Sequence, residues 1–397
     1  MSDSKHYREA TRLTTLGRTP DAYHGLVNLP VHRGSTVLFP TLAAFEQSHL
    51  RPDETGRVTY GLNGTPTTFA VETAVAELEG AHGACVVPSG LAAITAALLA
   101  VLKAGDHLLI TDSAYGPGRR FSNHILARFG VEVDYYDPLL GADIAKLFKP
   151  NTRAILTESP GSYTFEVQDI PAIAEAAHAH NILVLMDNTW ATPLYFKPFA
   201  HGVDISIQAA TKYMSGHSDL LAGTITFTKE CEPLIRQAVR DLGISLAPDD
   251  CYLLLRGLRS MDVRLKHQEK MALDLAEWLA ARPEVKQVLH PARPDCPGHA
   301  LWKRDFTGAS GLFSIILHPI EKPALAAFLD PLSLFGMGFS WGGFESLIVP
   351  CNPRPIRTAT AWDEPGQLLR LSVGLEHIDD LKADLAAGFE RMKAAQA

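Results

Sequence analysis

The chain has 397 residues, 46% of them hydrophobic and 20% charged, apolar enough to bury a core of its own rather than stay disordered and too polar to be membrane-embedded. Its 36 Lys and Arg face 44 Asp and Glu, a net charge of −8 that leaves no basic surface for the phosphates of DNA or RNA.

In chain order, residues 1–60 are punctuated by Gly and Pro, show few helical periods and read as an extended arm. The first regular element is a helix from Pro66 to Gly80, where proline suits the first turn, glycine the stop, and Val71, Ala74, Val75 and Leu78 share a face. An apolar run at 84–87, a helix from Gly90, a run at 107–111 and a helix around Arg119 to Phe129 follow. Runs at 153–157 and 182–186 then flank a further helix, and runs at 204–208 and 223–228 continue the pattern. Short β-branched runs separated by helices predict an α/β fold: a mostly parallel sheet with helices on both faces. Beyond Thr228 the helices lengthen, the Pro-rich stretch 290–299 leads into the run GLFSIILH, and a last helix begins near Asp379. The expected units are the arm, a larger domain over 61–258 and a smaller α/β domain over 259–397.

The five cysteines are far apart and never form Cys-x-x-Cys, so no disulfide framework and no metal site is expected, and a reducing cytoplasm is the natural setting. No apolar stretch approaches the length of a membrane span, and no membrane partner is expected.

Ligands of open parallel sheets bind outside the carboxyl ends of the strands, and four features fall there. Ser89-Gly90-Leu91 lies between a strand and a long helix, where backbone N–H groups and the helix dipole make a phosphate seat, although most such turns only reverse the chain. Asp187 follows the run 182–186 and in isolation reads as a turn aspartate. Lys212, beside Thr211 and Tyr213, follows another strand among small residues rather than on a charged face. Tyr115 stands beside glycines after the run 107–111, where an aromatic ring can stack on a flat ligand or join the core. A phosphate seat, a carboxylate, an amine and a stacking ring together meet the requirements of pyridoxal 5'-phosphate. Its aldehyde needs a lysine, and its pyridine nitrogen needs a carboxylate to stay protonated and act as an electron sink.

From about Tyr60 to the C-terminus the sequence resembles the Cys/Met-metabolism branch of fold-type I pyridoxal-phosphate enzymes. ATKYMSGHSD is similar to the lysine motif of that family and MDNTWATP to its aspartate motif; LLRLSVGLE resembles its carboxylate-binding segment. The resemblance implies the fold-type I architecture, with Lys212 holding the aldehyde and Asp187 the ring nitrogen. It places Tyr115 on the ring, Ser89, Gly90, Leu91, Thr211 and Tyr60 on the cofactor, and Arg370 on the substrate carboxylate. Catalytic roles fall to Lys212, Tyr115 and Asp187. The segment from Phe339 to Leu347, with Ser340 and Trp341, resembles the β-lyase members, as do 158–162 and 302–314; γ-acting relatives usually carry leucine where Trp341 stands.

The implied reaction is β-elimination of cystathionine to homocysteine, pyruvate and ammonia, with an amino-acid substrate bound at Arg370, Ser340, Trp341 and Tyr60. A homotetramer whose arms complete neighbouring sites is implied as well. The alternatives are a γ-acting relative and, further off, a non-catalytic nucleotide-binding or interaction protein. The sequence departs from the family pattern at several positions. Leu62 occupies the place of an arginine that clamps a neighbour's phosphate, with Arg57 as candidate substitute; Ala209 replaces a common serine, and Phe339 a common tyrosine or glutamate.

Overall fold

The computed structural model describes residues 6–50 and 56–396, so the expected arm residues at 1–5 and 51–55 lie outside the described part. Two sheets organise it. The larger has seven strands in the order β1-β7-β6-β5-β4-β2-β3. These are β1 (Gly83–Val87), β2 (His107–Thr111), β3 (Glu132–Tyr136), β4 (Thr152–Glu158), β5 (Leu183–Asp187), β6 (Ile205–Gln208) and β7 (Gly223–Phe227). Pairing is parallel between β2 and β3, β2 and β4, β4 and β5, and β5 and β6, whereas β7 is antiparallel to both β1 and β6. The expected mostly parallel sheet is therefore present, with β7 as its one reversed strand.

Alternation along the strands explains their unbroken apolar runs. Leu109, Ile155, Val184 and Met186 point into one core, shared with the helices Pro66–Glu79, Ile170–His178 and Pro248–Ala280. Their neighbours Leu108, Ile110, Ala154, Leu156 and Leu185 point into the opposite core, under the helices Gly90–Val101 and Glu232–Asp241. A strand covered on both faces has no polar side to show. The helix Pro66–Glu79 starts with Pro66 after a capping box between Thr65 and Thr68 and stops at Gly80, whose φ of 75° is left-handed and free of Cβ cost.

The second sheet is antiparallel, in the order β10-β11-β9-β8, with β8 (Val285–Leu289), β9 (Leu312–Leu317), β10 (Leu347–Cys351) and β11 (Leu368–Ser372). It forms its own core with the helices Lys322–Leu329 and Ile378–Ala394. Position 258, the sequence boundary, lies inside the unbroken helix Pro248–Ala280. That helix gives Leu254, Leu258, Met261 and Leu265 to the large-sheet core and Met271, Leu275 and Leu279 to the small-sheet core. The helix expected around Arg119 to Phe129 starts earlier, at Gly116, and widens into a π turn over Ser122–Leu126. Within the expected arm, the short helix Glu9–Thr15 packs back on its own chain through Leu13 and Leu16. No helix is long and apolar enough to cross a membrane among the described residues, and the five cysteines are unpaired.

Candidate active site

Because β1, β2, β4, β5 and β6 point the same way, their carboxyl ends share one edge of the sheet. A cavity of about 310 Å³ opens there, a size typical of small-molecule sites. Ser89, Gly90 and Leu91 line it after β1, Tyr115 after β2, Asp187 at the end of β5, and Thr211 and Lys212 after β6. From the smaller unit come Ser340, Trp341 and Arg370. Every sequence-predicted site residue is thus brought together except Tyr60, which is half exposed and outside this cavity. Arg57 and Leu62 line a different, smaller cavity of about 90 Å³ with Arg236 and Arg240.

Lys212 sits in a tight turn, its N–H donating to the Ala209 carbonyl and its own carbonyl accepting from Gly216 N–H. Its Nζ donates to Ser340 Oγ at 2.6 Å and lies 5.1 Å from the centre of the Trp341 ring. Burial, with the Arg370 cation beside it, lowers the amine from 10.5 to about 8; Asp187 opposes that shift. Such an amine gives up its proton easily near neutrality, which a solvated surface lysine does not.

Asp187 Oδ1 accepts from the Thr189 N–H at 3.0 Å and the Thr189 hydroxyl at 2.5 Å, and burial raises its carboxyl pKa. Thr189 Oγ1 also accepts the Ala209 N–H at 2.8 Å, joining the aspartate turn to the lysine turn. Arg370 Nη2 donates to the Ser340 carbonyl at 2.9 Å, and its guanidinium lies 6.0 Å from the centre of the Tyr163 ring. Ser340 therefore touches Lys212 with its hydroxyl and Arg370 with its carbonyl, from a left-handed backbone at φ 77° that is strained for a residue with Cβ.

At the opposite wall Ser89 caps the helix Gly90–Val101, its hydroxyl accepting from Ala92 N–H at 3.0 Å. Gly90 and Leu91, whose amides open that helix without an intrahelical acceptor, line the cavity, and such amides suit an anion. Gly90 is required by close approach: a Cβ there would lie 2.5 Å from Ala209 Cβ. The Thr211 hydroxyl is engaged locally, donating to the Ala222 carbonyl at 3.1 Å and accepting the Ala222 N–H at 2.9 Å.

Sequence reasoning did not single out Glu158, Ser162, Tyr163 and Trp190 as site residues, yet all four line the cavity. Glu158 had a signal, since it ends β4 on the same edge as the others.

The residues present fit pyridoxal phosphate. The buried amine of lowered basicity, the buried carboxylate and the glycine-lined amide seat occupy three walls of one cavity, matching its aldehyde, ring nitrogen and phosphate.

The sequence matches the Cys/Met metabolism PLP-dependent enzyme family over residues 10–390. A Rhizobium johnstonii protein with the provisional name cystathionine beta-lyase is 52% identical, covering 97% of this chain and 96% of its own length. The cystathionine beta-lyase of Escherichia coli K12 is 43% identical, over 96% of this chain and 98% of its own. The solved structure of cystathionine gamma synthase from Xanthomonas oryzae pv. oryzae in complex with cystathionine superposes with a TM-score of 0.89 at 31% identity, covering 98% of this chain and 99% of the other. The chain belongs to the Cys/Met metabolism family of PLP-dependent enzymes, and its fold is theirs.

Proposed function

We propose that the chain is a carbon–sulfur lyase that cleaves cystathionine by β-elimination to homocysteine, pyruvate and ammonia, with Lys212 as the proton carrier. One observation carries the reading most directly: the lowered-pKa amine of Lys212 and the guanidinium of Arg370 meet on a single residue, Ser340. A substrate whose carboxylate replaces the Ser340 carbonyl at Arg370 has its Cα held near that amine. Bound in the cavity, the cofactor supplies an electron sink for the charge left on Cα.

The chain's own groups do the rest. Arg370 orients the substrate by its carboxylate, Lys212 takes the Cα proton, and Lys212 or Tyr115 returns a proton to the departing sulfur. Asp187, anchored by Thr189, presents its carboxyl to the ring nitrogen, and Ser89 to Leu91 present amides to the phosphate. Trp341, packed 5.4 Å from the Tyr213 ring, walls the substrate side and helps to exclude water. In this reading the smaller unit, beyond the middle of the helix Pro248–Ala280, brings the substrate-binding groups to a cofactor site built by the larger one.

A second copy completes the site in this proposal, through Tyr60 and within a cytoplasmic homotetramer. Support comes from Tyr60 being half exposed away from its own cavity, and from the apolar side chains Leu221 and Phe339, 67% and 96% exposed. The γ-acting reading keeps one specific support, the close superposition on a cystathionine gamma synthase. Incubation with cystathionine separates the two. Pyruvate with homocysteine is the expected outcome; 2-oxobutyrate with cysteine would assign the chain to γ-elimination.

A further inference from the structure

Glu158 is a carboxyl inside the cavity for which the proposed chemistry has no use. It ends β4 in register with Asp187 at the end of β5, so the two acids sit side by side on the functional edge of the sheet. Its Oε2 accepts the backbone N–H of Tyr115 at 2.6 Å, and its Oε1 accepts the Ser162 hydroxyl at 2.6 Å. Ser162 is tied in turn to the Tyr115 loop, its N–H donating to the Ser113 carbonyl at 2.8 Å. Gly161 has no room for a Cβ, which would lie 2.4 Å from Ser113. The loop carrying Tyr115 is thus fastened to the end of β4 by two hydrogen bonds and the close approach of Gly161 to Ser113, and one of those bonds is to a carboxyl.

We infer that Glu158 is a positioning residue: through the Tyr115 N–H and the Ser162 hydroxyl it sets the height of the tyrosine ring in the cavity, and it does so by hydrogen bonds rather than by charge. The Tyr115 carbonyl is held by its own helix, accepting from Gly118 and Arg119 N–H, while its side chain is 43% exposed. Burial first, and the neighbouring Asp187 second, raise the Glu158 carboxyl pKa, so a second anion beside Asp187 is disfavoured. A neutral acid in this place accepts the Tyr115 N–H with its carbonyl oxygen and shares a proton with Ser162 through the other oxygen. Glutamine has the same shape and the same pairing: its amide oxygen accepts from Tyr115 and its amide nitrogen donates to Ser162.

The inference rests on the PLP reading of the cavity, and its test is read without turnover as well as with it. Glu158→Gln, Glu158→Ala and Tyr115→Ala, alone and as the Glu158→Ala/Tyr115→Ala pair, are compared as holoenzymes. The readouts are the visible circular dichroism of the bound cofactor, cofactor loss on dialysis and the kcat for cystathionine. Glu158→Gln is expected to keep the parental dichroism and a kcat within roughly threefold. Glu158→Ala should flatten the dichroism and lower kcat roughly tenfold to a hundredfold, the range expected for losing a hydrogen bond to a buried acid. In the Tyr115→Ala background the same substitution should add little, because the ring it positions is gone.

A Glu158→Gln protein as impaired as Glu158→Ala would overturn the inference by showing that charge is what matters. So would additive losses in the double variant, or a Glu158→Ala protein with parental dichroism. If Glu158→Ala does not fold, Ser162→Ala replaces it, with the same dichroic change expected at smaller amplitude and an unchanged spectrum overturning the inference. Should the chain prove not to cleave cystathionine, the dichroism and cofactor-loss comparisons still decide the role of Glu158.

Discussion

Lys212 has a function that costs the fold stability. Its amine falls from 10.5 to about 8, so between those values the unfolded chain binds more protons than the folded one and stability rises with pH. Below pH 8 the cost is present in full. In the cofactor-free protein Lys212→Met should therefore be more stable than the parent at pH 7, by on the order of 1–3 kcal/mol, with the gain vanishing above pH 10.5. Urea unfolding of both proteins at pH 7 and at pH 10.5 checks this; a less stable variant at pH 7 would mean that the bond to Ser340 outweighs the burial cost. Arg370→Leu should raise KM for cystathionine roughly thirtyfold or more, the scale for losing one partner of a buried charge pair, and steady-state kinetics on a folded variant reads it. At this scale the sequence was informative for Lys212, Asp187 and Tyr115, whose chemistry stands beside a strand end among turn residues. Glu158 stayed hidden because a glutamate in an apolar strand reads as an edge residue until the register sets it beside Asp187.

Among the elements, the strand ends and the turns after them make the site, and the turns tolerate little. Gly90 and Ala209 touch where the phosphate seat meets the lysine turn. Gly90→Ala should lower stability by about 1–3 kcal/mol, the usual cost of overpacking, and should speed cofactor loss as well, because both turns must part. Thermal unfolding and dialysis of the holoenzyme test it, and a variant that loses stability but not cofactor would separate the seat from the lysine turn. The strands β2, β4, β5 and β9 were legible because burial on both faces leaves each with a run of apolar residues. The run EVDYY of β3 was not: Glu132 is exposed at an edge of the sheet, and its polar side chains break the pattern. Nor does composition reveal that β7 reverses direction, since a strand buried on both faces looks alike in either sense.

For the molecule as a whole, the chain splits its work between two sheets joined by the helix Pro248–Ala280, and the proposed assembly adds a third contribution from a neighbour. The boundary at 258 could be placed only roughly, because a helix that serves both cores carries no break in its sequence pattern. If Tyr60 works across a subunit boundary, mixing refolded Lys212→Ala and Tyr60→Ala chains should restore roughly a quarter of parental activity, since random pairing gives hybrids with one intact site. No recovery, with hybrids demonstrated to form, would contradict a Tyr60 that acts across the boundary.

The central claim is that one cavity holds pyridoxal phosphate through Lys212, and borohydride reduction of the holoenzyme followed by peptide mass mapping tests it most directly. The predicted result is a single pyridoxyl group, on the peptide that contains Lys212, with loss of the visible absorbance. A pyridoxyl group on any other lysine, or on none, would contradict the account.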